Sequence, residues 1–390
     1  MLRPEDPDDP GTGHYIDGVI ALSSEPDHVE AALGLDGAFE LDDERVAQLL
    51  AGMSADEAGQ VQEMVALVGV ADPHVASAAL RDREIPASPI HGVGYESHRG
   101  FMAGTDPRDA RMPLPPPETE ADPERVVAVV DSGIVADDFL PEWMRGGSVI
   151  RDETDIEVLD KRETSHGTFV TSIIRQVHPD AVVSIAAAHP DTRGLLVTDE
   201  PDHQDAPHPT TELDVLGAVL RLINRHSASP ETVMALNLSL GTTRLLDNDA
   251  YLLVLAIAID HWRAHFGRNA VIFAAGGNSG DPRPVYPAAF DCVRGVGAAT
   301  DGGVETVWDR EAEIAPPSRP WVDDVAPGVS LVGLSGRDPE HTVKWSGSSF
   351  ATAVAAASHV KGAPYQVADG MVWWPNRSVP YANVAGLQYV

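Results

Sequence analysis

The sequence predicts an α/β protein: a doubly wound, mainly parallel sheet with helices on both faces, preceded by a small, mainly helical N-terminal unit. Three observations predict this. Continuous apolar runs of strand length recur beyond residue 125, stretches with helical apolar spacing lie between them, and residues 1–112 have a different texture dominated by helical spacing. An unbroken apolar run suits a strand covered on both faces, and strand–helix alternation is how parallel strands are joined.

Tyr15-Ile16-Asp17-Gly18-Val19-Ile20 reads as a strand, after which the pattern turns helical. Val46, Leu49, Leu50 and Met53 recur at the spacing of an amphipathic helix. Ser54 and Glu57 form the S-x-x-E signature of a capping box. Val61, Met64, Val65 and Val68 repeat the helical stripe, and Pro73 follows its end. From Ala87 to Arg111 periodicity is lost. Pro113-Leu114-Pro115-Pro116-Pro117-Glu118 then reads as a stiff linker. The expected organisation is a helical unit over 1–112, a linker over 113–124 and a large domain over 125–390.

In the large domain Val126–Val130 is the first buried strand, and Ala181–Ala188, Val233–Leu240 and Asn269–Ala275 follow. Leu213–Asn224 and Leu252–His265 are the intervening helices. Asp191–His208, with His203 and His208 among acids and prolines, reads as a solvated surface insertion rather than a metal site. From about Lys361 the chain is rich in Gly, Pro and Asn, with Trp373-Trp374, and reads as an irregular tail.

Composition excludes several classes of function. The 390 residues carry 60 acidic and 27 basic side chains, a net charge of −33, and only three of the basic residues are lysines. Such a surface repels nucleic acid and anionic membranes, so neither is expected as a partner. No apolar run reaches transmembrane length, and the acidic start MLRPEDPDDPGTG lacks the features of a secretory signal, which predicts a cytoplasmic location. The single cysteine, Cys292, excludes an internal disulfide framework; its apolar neighbours predict a small buried thiol in a strand. No cofactor or metal site is expected.

In a doubly wound sheet, functional groups gather at the carboxyl ends of the strands. Asp131-Ser132-Gly133 directly follows the first buried strand; alone, it would be an ordinary turn. His166-Gly167-Thr168 begins a helix whose apolar face holds Phe169, Val170, Ile173, Ile174 and Val177, so His166 stands in the first turn. Gly347-Ser348-Ser349-Phe350-Ala351 leads into a run of small residues, as suits a tight turn into a helix packed closely on the sheet. A serine there presents Oγ outward with a helix N-terminus behind it.

Taken together and in this order, Asp-Ser-Gly, His-Gly-Thr-x-Val and Gly-Ser-Ser-x-Ala resemble the subtilase family of serine peptidases. The separations, 35 residues from Asp131 to His166 and 183 from His166 to Ser349, suit that fold. Asn237-Leu238-Ser239-Leu240-Gly241 resembles the family's cleft-lining edge strand, and Ala274-Ala275-Gly276-Gly277-Asn278-Ser279-Gly280 its oxyanion segment. Ala326-Pro327-Gly328-Val329 and Tyr286-Pro287-Ala288 are also family-like, and the likeness spans roughly Arg125 to Val360.

The resemblance implies a serine endopeptidase with Asp131, His166 and Ser349 as its triad. The oxyanion donors would be the Asn278 amide and the Ser349 backbone N–H. A protein or peptide substrate would bind as an added strand along Ser239, Leu240 and Gly241. Gly276 and Gly277 would form the other wall of the pocket for the residue before the scissile bond. Their missing side chains are expected to leave that pocket open to a neutral, apolar residue.

Two positions depart from the family: Ser348 stands where Thr is usual, and Ala353 lies where a proline is usual. Ser346 and Ser348 are neighbouring hydroxyls, but only Ser349 has the family register. Family precursors often carry an inhibitory prosegment of mixed α/β structure. Because this N-terminal unit reads as helical, a regulatory or docking role is expected for it instead, with the tail as a second place for a regulatory partner. Two alternatives keep the same scaffold: a catalytically silent binding module, and a transpeptidase or cyclase that passes the acyl group to an amine.

Overall fold

The computed structural model describes residues 2–4, 14–50, 53–93, 107–110, 113–114, 116–117, 120–157, 164–188, 210–242, 252–278, 284–299, 321–362, 366–368 and 371–373. The insertion 191–208, Ser279, three positions of the linker and most of the tail lie outside the described residues.

The N-terminal unit is not mainly helical. Its elements run β1 (His14–Ser23), α1 (Pro26–Leu33), a short strand at Phe39–Glu40, α2 (Asp43–Leu49), α3 (Ala55–Met64), β2 (Val65–Gly69), α4 (Pro73–Arg81) and β3 (Ala87–Val93). The strands pair antiparallel in the order β3, β1, β2, Phe39–Glu40, the split β-α-β arrangement with α2 and α3 inserted. The Ser54–Glu57 capping box forms as expected. The stripe beyond it misleads because α3 stops at Met64, and Val65 turns extended at φ −128, ψ 121. A short apolar run satisfies helix and strand spacing alike. β3 escapes notice because all seven of its residues are buried, leaving no alternation to read.

The two faces of this sheet have different partners. Ile20 and Leu22 of β1 pack with Ala32, Ala76 and Leu80 of α1 and α4. Val19 and Ala21, pointing the other way, share one continuous core with the large domain. The unit is therefore docked through a sheet face as well as tethered by the chain.

The large domain follows the expectation closely. Its elements are β4 (Asp122–Asp131), α5 (His166–Val177), β5 (Ala181–Ala187), β6 (Thr210–Thr211), α6 (Glu212–His226), β7 (Val233–Leu238), α7 (Leu253–Phe266), β8 (Val271–Ala275), β9 (Arg294–Ala299), β10 (Asp324–Pro327), β11 (Leu331–Leu334), β12 (Thr342–Trp345) and α8 (Ser348–Lys361). Seven strands form a parallel sheet in the order β10-β9-β8-β7-β4-β5, with Val149–Ile150 at the edge beside β5. Along β4 the side chains alternate. Val126, Ala128 and Val130 join the core beneath α6 and α7, while Val127 and Val129 join the core beneath α5 and α8. Both faces are thus covered, which is why the run has no polar residue.

β6 is an exception. It pairs antiparallel with β3, so a segment of the large domain extends the N-terminal sheet. Cys292 is also a correction: it is exposed, because β9 begins only at Arg294 and the cysteine sits in the preceding turn.

Candidate active site

β4, β7 and β8 end side by side, with Ala187 and Leu238 in register with Asp131 and Val130, and Ala274 with Leu238. Asp131, Ser239–Thr242 and Gly276–Asn278 therefore leave the sheet at one edge. α5 begins at His166, where Ser165 caps it by accepting from Thr168 N at 3.0 Å. Gly167 lets that first turn lie directly on the β4 turn; a Cβ there would collide with the Gly133 carbonyl and stand 3.2 Å from Asp131 Oδ1. This close approach puts His166 Nδ1 2.7 Å from Asp131 Oδ1, which also accepts from Ser132 N at 2.8 Å. Trp345 meets the imidazole edge-on at 5.5 Å and Phe350 lies at 5.3 Å, so the ring is held on its sides by aromatic groups.

Ser349 is the second residue of α8. Its Oγ donates to the Ser239 carbonyl at 2.9 Å, and Ser239 Oγ donates back to the Ser349 carbonyl at 2.8 Å. Asn237 Nδ2 in turn donates to Ser239 Oγ at 2.8 Å. Ser348 N donates to Asn278 Oδ1 at 2.8 Å, which fixes the amide and leaves Nδ2 buried with no partner among the described residues. A buried donor left this way is costly to the fold and ready for an incoming acceptor. The neighbouring hydroxyls have other partners: Ser348 Oγ accepts from Gly277 N at 3.2 Å, and Ser346 Oγ from Ser330 N at 2.8 Å. Asp131 and Ser349 are 0% exposed, His166 and Asn278 1%.

The subtilase family profile matches residues 123–361, more than half of the chain. The chain belongs to the subtilase family. A thermophilic serine proteinase of Bacillus sp. (strain AK1) is 28% identical over 208 residues, 53% of this chain and 44% of that protein; the chain thus spans less than half the length of that relative. Among solved structures, the prenylagaramide maturation protease PagA is 24% identical, with a TM-score of 0.44 over 62% of this chain and 76% of that one. The patellamide maturation protease PatA is 23% identical, with a TM-score of 0.43 over 62% and 79%.

In this subtilase the predicted residues fall at one edge of the sheet, with two qualifications. The Leu240 side chain is buried in the core beneath α6 and α7, so only its backbone faces the cleft. Gly276 and Gly277 are closely backed on the side where a Cβ would stand. A Cβ on Gly276 would lie 2.9 Å from the Val296 carbonyl and 3.0 Å from Val322 Cγ2; on Gly277, at φ +96, it would lie 2.8 Å from Val285 Cγ2.

Three residues support the pair, and of these the sequence analysis named only Ser132, as part of a turn. Glu157 accepts from Ser132 Oγ at 3.1 Å and from Ser165 Oγ at 2.5 Å. Those hydroxyls accept in turn from Gly167 N (3.1 Å) and Thr168 N (3.0 Å), the orphan amides of the first turn of α5. One carboxylate thus orients two hydroxyls that seat the His166 helix on the Asp131 turn. Ser165 was legible as a Ser just before an apolar helical stripe. Glu157 carried no local signal.

Proposed function

We propose that this subtilase is a serine endopeptidase in which Asp131, His166 and Ser349 form the catalytic triad. One observation carries the reading: a buried 2.7 Å Asp131–His166 pair stands at the strand ends against Phe350, the residue after Ser349, near the buried Asn278 Nδ2, a donor with no partner among the described residues. Ser349 Oγ attacks the substrate carbonyl as His166 takes its proton. Asp131 holds the imidazole in the tautomer with its proton on Nδ1 and stabilises the imidazolium. The new oxyanion sits between Asn278 Nδ2 and the Ser349 N–H. His166 then protonates the departing amine, and water releases the acyl group by the reverse sequence. The substrate lies extended against Ser239–Gly241.

Regulation by the N-terminal unit belongs to the same proposal. The reacting groups are at most 1% exposed, so access to them is the property that such regulation would act on. The mixed α/β build of the unit removes the reason for setting it apart from family prosegments. Its docking is also specific. Glu57 pairs with Arg221 at 3.2 Å, and Glu212 accepts from both His91 N at 2.8 Å and Leu255 N at 3.0 Å. Helix α7 has no cap of its own; Ser88 of the N-terminal unit receives its Leu253 N–H at 3.3 Å.

The test is labelling of the full chain with a fluorophosphonate, the adduct being located by mass spectrometry. An adduct on Ser349 that is lost in Ser349→Ala and His166→Ala supports the triad. Absence of labelling, both in the full chain and after proteolytic release of the N-terminal unit, would leave a silent binding scaffold. Labelling that rises on release assigns inhibition to that unit.

A further inference from the structure

Asp155 stands two residues before Glu157 and is completely buried. The groups that contact its carboxylate are all donors. Oδ1 accepts from Ala187 N at 2.9 Å and faces Arg221 Nε at 3.4 Å, while Oδ2 accepts from Asp152 N at 2.9 Å and from Arg225 Nη2 at 2.6 Å. Arg225 fastens this arrangement to the body of the domain. From α6 it also donates to the Ile185 carbonyl of β5 at 2.8 Å and to Asp152 Oδ2 at 2.6 Å. A carboxylate offers about four lone-pair positions, whereas an amide of the same shape would turn an NH2 against some of these donors.

Two routes lead from Asp155 to the Asp131–His166 pair. Through its side chain it holds Ala187, which stands in register with Asp131 on the neighbouring strand; the next amide, Ala188 N, donates to the Asp131 carbonyl at 2.8 Å. Through its backbone it abuts the turn that follows Asp131. A Cβ on Gly133, which is at φ +106, would stand 2.6 Å from the Asp155 carbonyl. The Gly133 carbonyl lies in turn against Gly167, the residue after His166, where a Cβ would collide with it. Three backbones are thus stacked with no side chain between them to absorb a shift. Ile156–Glu157 then runs parallel to Ile134–Val135, which fixes the register of the stack. We infer that Asp155 is a positioning residue: clamped by the arginines of α6, it sets where the Asp131 turn meets the first turn of α5. The inference rests on the triad reading. A misplacement of about 1 Å in such a constellation costs roughly 100-fold in rate, so a small movement of this buried carboxylate is enough to register in the reaction.

The experiment measures second-order rates of Ser349 modification by a fluorophosphonate in the full chain, for wild type, Asp155→Asn and Arg225→Lys. Urea unfolding gives the stability of each, and rates are taken well below the transition. Asp155→Asn should react about 10–100-fold more slowly. Arg225→Lys should lose about three- to tenfold, because one ammonium group cannot serve Asp152, Asp155 and Ile185 together as the guanidinium does. A second readout separates positioning from stability. The proton between His166 Nδ1 and Asp131 Oδ1 gives a downfield proton NMR resonance, identified by its loss in His166→Ala. In Asp155→Asn that resonance should shift or broaden, while the one from the His91–Glu212 pair stays in place as an internal reference. A lower urea midpoint with a labelling rate within twofold of wild type overturns the inference and leaves Asp155 a structural residue. A slower rate with the His166 resonance unmoved overturns it too, since the loss then arises elsewhere. Should Asp155→Asn not fold, Arg225→Lys decides by the same two readouts. Absence of labelling in wild type, with and without the N-terminal unit, overturns the triad reading and the inference with it.

Discussion

Glu157 gives the sharpest test of how the imidazole is held. Its carboxylate receives two hydroxyl protons, from Ser132 at 3.1 Å and Ser165 at 2.5 Å. Hydrogen bonds to a charged acceptor contribute about 1.5–3 kcal/mol each, so Glu157→Ala removes a substantial constraint. The serine oxygens can still accept from Gly167 N and Thr168 N, so α5 stays folded; what is lost is the fixed direction of the hydroxyls. We therefore expect only part of that energy to reach the reaction, about 1.4–2.7 kcal/mol, a 10–100-fold slower modification of Ser349 by fluorophosphonate. Glu157→Gln keeps an acceptor oxygen but loses its charge, and a three- to tenfold loss, about 0.7–1.4 kcal/mol, is expected. With a peptide substrate kcat falls while KM holds, because Glu157 acts through His166 and touches no substrate. Circular dichroism and urea unfolding check the fold. A Glu157→Ala rate within twofold of wild type, or a Gln variant as slow as Ala, would refute the reasoning.

The other predictions concern the oxyanion donor, the docked unit and pH. Asn278→Ala should slow peptide turnover about 10²–10³-fold with little change in KM, a magnitude known for the equivalent subtilisin donor rather than worked out from this structure; steady-state kinetics reads it. Glu57→Ala leaves Arg221 with Asp155, 3.4 Å away, and the Ala187 carbonyl; it should lower the urea midpoint by the equivalent of about 1.5–3 kcal/mol and speed Ser349 labelling as the N-terminal unit loosens. Burial holds His178 and His226 neutral, each with its pKa lowered to about 4. Their stabilisation is present above pH 6.5 and is lost as pH falls toward 4, because the unfolded chain takes up the protons first. The slope is about 1.4 kcal/mol per pH unit for each histidine. Urea midpoints at pH 7.5, 6.5 and 5.5 should fall at the lowest value, and a flat series would contradict the assignment.

Much of the fold was legible because its information is local. The run Val126–Val130 had to be a strand covered on both faces, and the structure divides it between two cores. The small residues after Ser349 had to lie against a sheet, and α8 is buried along almost its whole length. The ordered motifs around Asp131, His166 and Ser349 likewise point to the candidate site, because each is a turn whose backbone demands show in its own glycines and serines.

The sequence by itself therefore determined the domain class, the family and the residues placed at the strand ends. Only the tertiary structure decided what surrounds them. Glu57 meets Arg221 across 164 residues and His91 meets Glu212 across 121, so no spacing rule could foresee that the N-terminal unit caps α7 and shares a core with the large domain. Val65–Gly69 becomes a strand because β1 and Phe39–Glu40 flank it, not because its own residues exclude a helix. Folding brings Val285 against Gly277, and Val296 and Val322 against Gly276, neighbours that no local spacing announces. Periodicity records which face of an element is buried. What buries it depends on contacts between residues far apart in the chain, and those are set only when the whole core closes.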